Sequence, residues 1–319
     1  MSEIVSKQPT NDPDSNPTLL IVGCGDIGCR LAQRLSAEQT STSSQPFQVF
    51  GLRRNIEALP TGIAPLQGDV TEPDSLSSLA QHAFDYMVMT LTPGEFSEAA
   101  YRRAYIEGTR NVLNALTQPP KRIFWVSSTS VFSETDGNWV DETSPTDAPG
   151  FSGRCLREAE QLVEACSTPY TLVRFAGIYG PGRRRLIEQV KAGKGALEEP
   201  IQWTNRIHID DCAGVLAHLI QLDLQQQDSR QQDLQQQETG QRKTQEQTLE
   251  NLYIACDSHP TPMHEVKQWL AQELGLELTN QEPSKMPGNR RCNNARLLQT
   301  GYVFQYPDFR AGYRAILQN

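Results

Sequence analysis

Short apolar runs alternate with stretches of helical periodicity along most of this chain. Thr18-Leu19-Leu20-Ile21-Val22 is an apolar run that stops at Gly23. After it Ile27, Leu31, Ala32 and Leu35 recur at helical spacing in IGCRLAQRLSAE. FQVFGLRR (47–54), IAPLQGDV (63–70), YMVMTL (86–91), KRIFWVSS (121–128), YTLVRFAGIYG (170–180) and NLYIAC (251–256) read as further strands. PDSLSSLAQHA (73–83), SEAAYRRAYIEGTRNVLNALTQ (97–118), CLREAEQLVEAC (155–166) and DDCAGVLAHLIQL (210–222) read as the helices between them. Strands alternating with helices predict βαβ units, hence a doubly wound, mostly parallel Rossmann α/β sheet covered on both faces.

Two segments break the alternation. Residues 1–17 are polar and rich in Pro, Asn and Asp, and read as a flexible tail. Residues 222–248 contain DLQQQ twice and almost nothing apolar, too little to offset the entropy of ordering. They read as a solvated insertion, disordered or extended, with a helical extension as the alternative because Gln, Leu and Glu favour helix. The nucleotide domain then runs over 18–178 and is completed by 205–221 and 249–256. Residues 179–204 and 257–319 form a small C-terminal α/β substrate lobe.

Composition narrows the function. The 319 residues carry a net charge of −9, which argues against nucleic-acid binding through a broad basic face. Mean hydropathy is −0.52, and no run reaches the roughly 18 apolar residues of a membrane span. The N-terminal stretch has no apolar core of a secretory signal. Seven cysteines, with no Cys-x-x-Cys pair, read as reduced thiols of a cytoplasmic protein and not as a zinc site.

Gly23-Cys24-Gly25-Asp26-Ile27-Gly28 has the spacing G-x-G-x-x-G, after a strand and opening a helix. Gly23 permits the tight turn, Gly25 lets a pyrophosphate approach the backbone, and Gly28 lets helix and sheet pack closely. The helix start adds free N–H groups and partial positive charge. An NAD site usually ends the second strand with an acid for the ribose 2′-hydroxyl. Here Arg53 and Arg54 stand there, and a guanidinium suits a 2′-phosphate. NADP is therefore favoured over NAD. Asp69, closing the third strand, fits either an adenine contact or an Asx turn.

In this order, the chain resembles the extended short-chain dehydrogenase/reductases of the NAD-dependent epimerase/dehydratase branch. The matching residues are Gly23–Gly28, Gly68-Asp69-Val70, Gly108–Leu113, Val126–Phe132, Arg174–Gly182 and Arg206–Asp211. The tail from Asn293 to Leu317 looks like the nucleoside-diphosphate-sugar epimerase-like subgroup. The resemblance implies that Asp26, Ile27, Asp69, Val70, Leu91, Thr92 and Ser127 also line the cofactor. It implies Ser128 as the family's catalytic hydroxyl, a substrate cleft beside the C-terminal segment, a nucleotide sugar as substrate, and a homodimer built on helices.

The chain departs from the family at its acid/base. Relatives use Tyr-x-x-x-Lys on the helix after the fifth strand, the Lys tuning the phenol for proton exchange. In register those positions are Ser152 and Leu156, and no tyrosine lies between Val140 and Tyr170. Ser128 then reads as either a reacting hydroxyl or a cap. Tyr179 reads as a packing residue, and His208 as a hydrogen-bonding residue. Arg183, Arg184 and Arg185 fit either an anionic small-molecule substrate or a solvated turn. Two functions follow: an NADP-dependent oxidoreductase or epimerase with a replaced acid/base, or a silent NADP(H)-binding sensor or scaffold.

Overall fold

In the computed structural model, residues 16–38, 46–237, 248–283 and 288–318 are described, without the side chains of 231–237. Residues 1–15 of the flexible tail expected over 1–17, and the stretch 238–247 of the Gln-rich insertion, lie outside the described residues. The chain divides into two units, residues 1–125 with 161–170 and residues 126–160 with 171–319.

The first unit opens with β1 (Thr18–Val22), α1 (Asp26–Glu38), β2 (Gln48–Arg53), β3 (Ala64–Gln67) and β4 (Tyr86–Met89). Then come α2 (Glu98–Tyr101), α3 (Gly108–Ala115) and the start of β5 (Arg122–Ser128). Leu20, Ile21, Val22, Met87, Val88 and Met89 are all fully buried. A strand whose successive side chains are all buried must be covered on both faces, as parallel sheets are. Leu31, Ala32 and Leu35 supply the buried stripe of α1.

Two expected helices differ in form. Over Pro73–Gln81 the chain is a 3₁₀-helix, not an α-helix. Its two buried side chains, Leu76 and Leu79, are three residues apart, the spacing that three residues per turn keeps on one face. The long helix after β4 contains a π-helical stretch at Arg102–Glu107. There the Tyr105 ring is placed 5.4 Å from Tyr101 and 6.1 Å from Trp125, centroid to centroid.

The second unit adds β6 (Trp139–Val140), α4 (Phe151–Glu164, whose last turn belongs to the first unit), β7 (Tyr170–Phe175), β8 (Gly177–Tyr179) and α5 (Arg185–Lys191). β9 (Lys194–Ala196), β10 (Trp203–Thr204), β11 (Arg206–His208), α6 (Ile209–Gln237) and β12 (Leu252–Ala255) follow. The chain closes with β13 (Thr261–Pro262), α7 (Met263–Leu274), β14 (Asn280–Glu282), β15 (Arg291–Cys292), α8 (Ala295–Gln299) and α9 (Phe309–Gln318).

The main sheet has seven parallel strands in the order β12-β7-β5-β4-β1-β2-β3, the doubly wound Rossmann arrangement. The run YTLVRFAGIYG, expected as one strand, breaks at Ala176. The Ala176 N–H donates to Ala255, on the main sheet, whereas the Gly177 N–H donates to Asn205, and β8 pairs with β11. A second core joins α5, α7 and α9 through Ile187, Val190, Val266, Leu270, Phe309 and Tyr313. The first part of the Gln-rich segment continues α6, its amphipathic start giving way to polar residues after Leu224. No helix among the described residues is long and apolar enough to cross a membrane.

One buried ion pair ties the second unit together. Glu160 is fully buried; its Oε1 accepts from Arg174 Nε at 2.9 Å and its Oε2 from Arg174 Nη2 at 2.7 Å. Removing one partner of such a pair leaves an uncompensated buried charge. Glu160→Ala is expected to lower unfolding free energy by about 3–5 kcal/mol, read as a fall in the urea midpoint.

Candidate functional site

The first unit builds a cradle at the end of β1. Strand order reverses between β1 and β4, the switch point where ligands of such sheets bind. Gly23 has φ +73°, and a Cβ there would stand 3.0 Å from the Thr90 carbonyl oxygen. Thr90 Oγ1 donates to the Gly23 carbonyl at 2.8 Å and closes that side of the turn. A Cβ on Gly28 would stand 2.7 Å from Ile21 Cγ2, so only glycine lets α1 lie this close to β1. At Gly25 the nearest atom to a Cβ is 3.7 Å away, which leaves the backbone open to a ligand. These three glycines meet the three requirements of a pyrophosphate site, and the residues fit a dinucleotide.

The two arginines have different tasks. Arg53 Nη1 donates to the Cys24 carbonyl at 3.1 Å, which braces the glycine turn from β2. Arg54 is 78% exposed, with its Nη1 3.9 Å from Asp69 Oδ2. Asp69 Oδ1 accepts from the Thr71 N–H at 2.9 Å and the Thr71 hydroxyl at 2.8 Å, an Asx turn. The Val70 carbonyl accepts from Asn111 Nδ2 at 2.8 Å. Asp26 pairs with Arg30 at 2.8 Å on the outside of α1; Ile27 is half-buried, Leu91 buried and Thr92 exposed.

In the second unit, the Ser127 hydroxyl donates to Glu160 Oε1 at 2.6 Å. Ser128 Oγ accepts from the Ser130 N–H at 3.1 Å, and so caps the short turn at Thr129–Val131. Leu156 is buried in the core, and Gly153 is pressed against the Ser130 carbonyl and Ala148. Tyr179 is buried between His208 and Tyr313, and burial, with Asp257 nearby, raises its phenol well above the usual range. Only a glycine at Gly312 leaves room for its hydroxyl. His208 Nδ1 accepts from the Asp210 N–H at 3.2 Å, and its ring stacks 3.9 Å from that of Tyr306. Asp211 is a fully buried anchor: it accepts from the Tyr302 hydroxyl at 2.9 Å, the Gln305 N–H at 2.8 Å and the Tyr306 N–H at 3.0 Å. Arg183, Arg184 and Arg185 are exposed together at the start of α5.

No sequence motif points to Asp257. It stands two residues past β12, beyond the carboxyl end of a parallel strand, and that position was the available signal. It is 2% exposed; Oδ1 accepts from the His259 N–H at 3.1 Å, and Oδ2 has no hydrogen-bond partner among the described residues. Burial raises its carboxyl from 3.8 to about 7, and the Asp308 and Asp211 carboxylates add to the rise. The His259 N–H and the Arg206 guanidinium oppose it.

A seven-stranded parallel sheet with a glycine turn at its switch point defines a dinucleotide-binding protein of the Rossmann class. The chain belongs to the NAD(P)H-binding family, whose model matches residues 23–223, within the extended short-chain dehydrogenase/reductases of the NAD-dependent epimerase/dehydratase type. A structure of a candidate NAD-dependent epimerase/dehydratase from Methylobacillus flagellatus is similar at 36% identity and TM-score 0.71, over 95% of this chain and 98% of that one. Protein YeeZ of Escherichia coli K12 is 27% identical over 305 residues, covering 90% of this chain and 96% of its own. Human epimerase family protein SDR39U1, solved with NADPH, shares the fold at 19% identity and TM-score 0.71, over 95% and 99% of the two chains.

The raised Asp257 carboxyl makes stability depend on pH. The folded state holds a proton that the unfolded chain releases near pH 4, so ionising Asp257 in place costs stability as pH rises from about 4 to about 7. Asp257→Asn is expected to gain on the wild type across that window, by on the order of a few kcal/mol above pH 7. Thermal midpoints of the two proteins from pH 4 to 8 check this; a constant difference contradicts it.

Proposed function

We propose that the chain is an NADP(H)-selective oxidoreductase of the epimerase/dehydratase type, acting on an anionic small molecule with an acid/base other than Tyr-x-x-x-Lys. The observation that carries the cofactor choice is Arg54. Its guanidinium is exposed at the end of β2, where an NAD site has a carboxylate for the ribose. A 2′-phosphate there meets a permanent, bidentate cation. Asp69 is turned into its own backbone, and its free oxygen pairs with Arg54 without competing for a ribose hydroxyl. The NADPH in the human relative's structure is consistent with this choice.

The bound dinucleotide would supply hydride transfer; this chain supplies the glycine turn, the braces and the charge. The exposed arginines at 183–185 suit a phosphate or carboxylate on the substrate. Proton exchange falls to other groups, because Leu156 is core and Ser128 is a cap. Asp257, ionising near neutrality, is a carboxyl able to hold or release a proton at working pH. The same two facts about Leu156 and Ser128 favour the second reading, a protein that binds NADP(H) without turnover. Free thiols at all seven cysteines fit a reducing compartment, the cytoplasm.

Calorimetric titration with NADPH, NADP, NADH and NAD separates these readings from a fold that keeps its glycines for packing alone. Arg54→Ala is expected to weaken NADPH tenfold or more, corresponding to about 1.4 kcal/mol, and to leave NADH nearly unchanged. Arg53→Ala is expected to weaken both, because it loosens the turn that all four share. Equal losses for Arg54→Ala would overturn the assignment to NADP. Selective binding followed by a substrate screen at 340 nm then decides between enzyme and silent binder.

A further inference from the structure

Two thiols meet inside the glycine turn. Cys24 is fully buried, and its Sγ fills the gap between β2 and α1: a Cβ on Gly51 would stand 3.1 Å from it, and one on Gly28 3.3 Å. Cys29, in the first turn of α1, is half-buried, and its thiol donates to the Cys24 carbonyl at 3.7 Å. That contact places the two thiols close enough for Cys29 to raise the Cys24 thiol. That same carbonyl accepts from Arg53, and the Cys24 N–H donates to the Leu52 carbonyl at 3.1 Å. Cys24 is therefore both a wall of the turn and half of a thiol pair.

We propose that Cys24 and Cys29 close into a disulfide under hydroperoxide and thereby release the bound dinucleotide, a redox switch built into the phosphate cradle. The proposal rests on the reading of this turn as the NADP(H) site. Cys29 is the thiol a peroxide can reach. It is oxidised to the sulfenic acid while the peroxide is reduced to an alcohol, or to water when the peroxide is hydrogen peroxide. The Cys24 sulfur then attacks the Cys29 sulfur, and water leaves with the Cys24 proton. The sum is two thiols and one hydroperoxide giving one disulfide, one alcohol and one water.

An S–S bond is about 2.05 Å long, shorter than any hydrogen-bond contact between thiols. In the proposed switch, closure draws the Cys24 sulfur out of its slot between Gly28 and Gly51. Its backbone then leaves Leu52 and Arg53, and the neighbouring amides of Gly23 and Gly25 lose the geometry that receives phosphate. Burial and the neighbouring Cys29 push the Cys24 thiol up to about 12, so the second step is slow and mild oxidant is tolerated. Cys256 and Cys292 also approach each other, Cys256 Sγ lying 3.7 Å from the Cys292 carbonyl. Both are closed off from solvent and give an internal control.

The test uses the full-length reduced protein, exposed to hydrogen peroxide and split for two readouts. Peptide mapping after alkylation reports whether Cys24 and Cys29 are joined. Titration with NADPH reports affinity before oxidation, after it, and after dithiothreitol. The expected result is a bond between 24 and 29, an NADPH affinity at least tenfold weaker, and full recovery on reduction. Cys29→Ser is expected to show the same NADPH affinity before and after peroxide, whatever its starting value. Both cysteines still alkylated after peroxide, or a bond formed with affinity unchanged, overturns the switch alone. Failure of the reduced wild type to bind NADPH overturns the cradle reading and the switch with it.

Discussion

The carboxylate of Glu160 decides what several neighbours can do. A buried anion needs its full set of donors, and Glu160 collects them from Arg174, Ser127 and Arg157, the last at 3.0 Å. Arg174 in turn lies over the Phe132 ring at 5.0 Å. Its consequence is functional as well as structural. The Ser127 hydroxyl is taken, and Ser128 beyond it turns to cap the following loop. In relatives of this type the end of the fifth strand is expected to present a reactive hydroxyl; here it is tied into the scaffold.

The start of α6 shows a similar economy. Asp211 starts α6, where an acid is favoured by the helix N-terminus, and it also receives three donors from residues 302–306. A single side chain thus fixes a helix start and a distant strap. Asp257 is the counter-example, a buried carboxyl with one oxygen that finds no donor among the described residues. The oxygens of Asp211 are met by three donors, whereas burial moves Asp257 towards neutrality and one of its oxygens meets no donor among the described residues.

Much of this was legible in the sequence, for reasons that can be stated residue by residue. The strands of the main sheet were visible as apolar runs because parallel strands bury both faces, and the glycine turn because its three positions have three separate steric needs. The helices were visible from their period, but not the 3₁₀ form of 73–81, although Leu76 and Leu79 alone repeat at three there. The break at Ala176 was hidden, because Phe175 and Ile178 continue the apolar pattern while the backbone changes partner. Arg53 and Arg54 were indistinguishable as letters. Only the carbonyl of Cys24, which accepts from Arg53, separates the brace from its exposed neighbour. Asp257 was hidden because its ionisation depends on what surrounds it, and no local pattern encodes that.

The 29-residue helix α6 carries one more implication. Its buried positions, among them Val215, Leu216, Leu219 and Ile220, end at Asp223, and Asp228, Ser229 and Arg230 are exposed. Each residue added to a helix turns it by about 100° and lengthens it by 1.5 Å. An insertion before Asp223 would rotate every later core side chain away from its socket. One after Arg230 leaves every described side chain of the helix in register. The first DLQQQ repeat thus begins on the last buried position of the helix and the second begins beyond Arg230, where a change of length leaves the buried face in register.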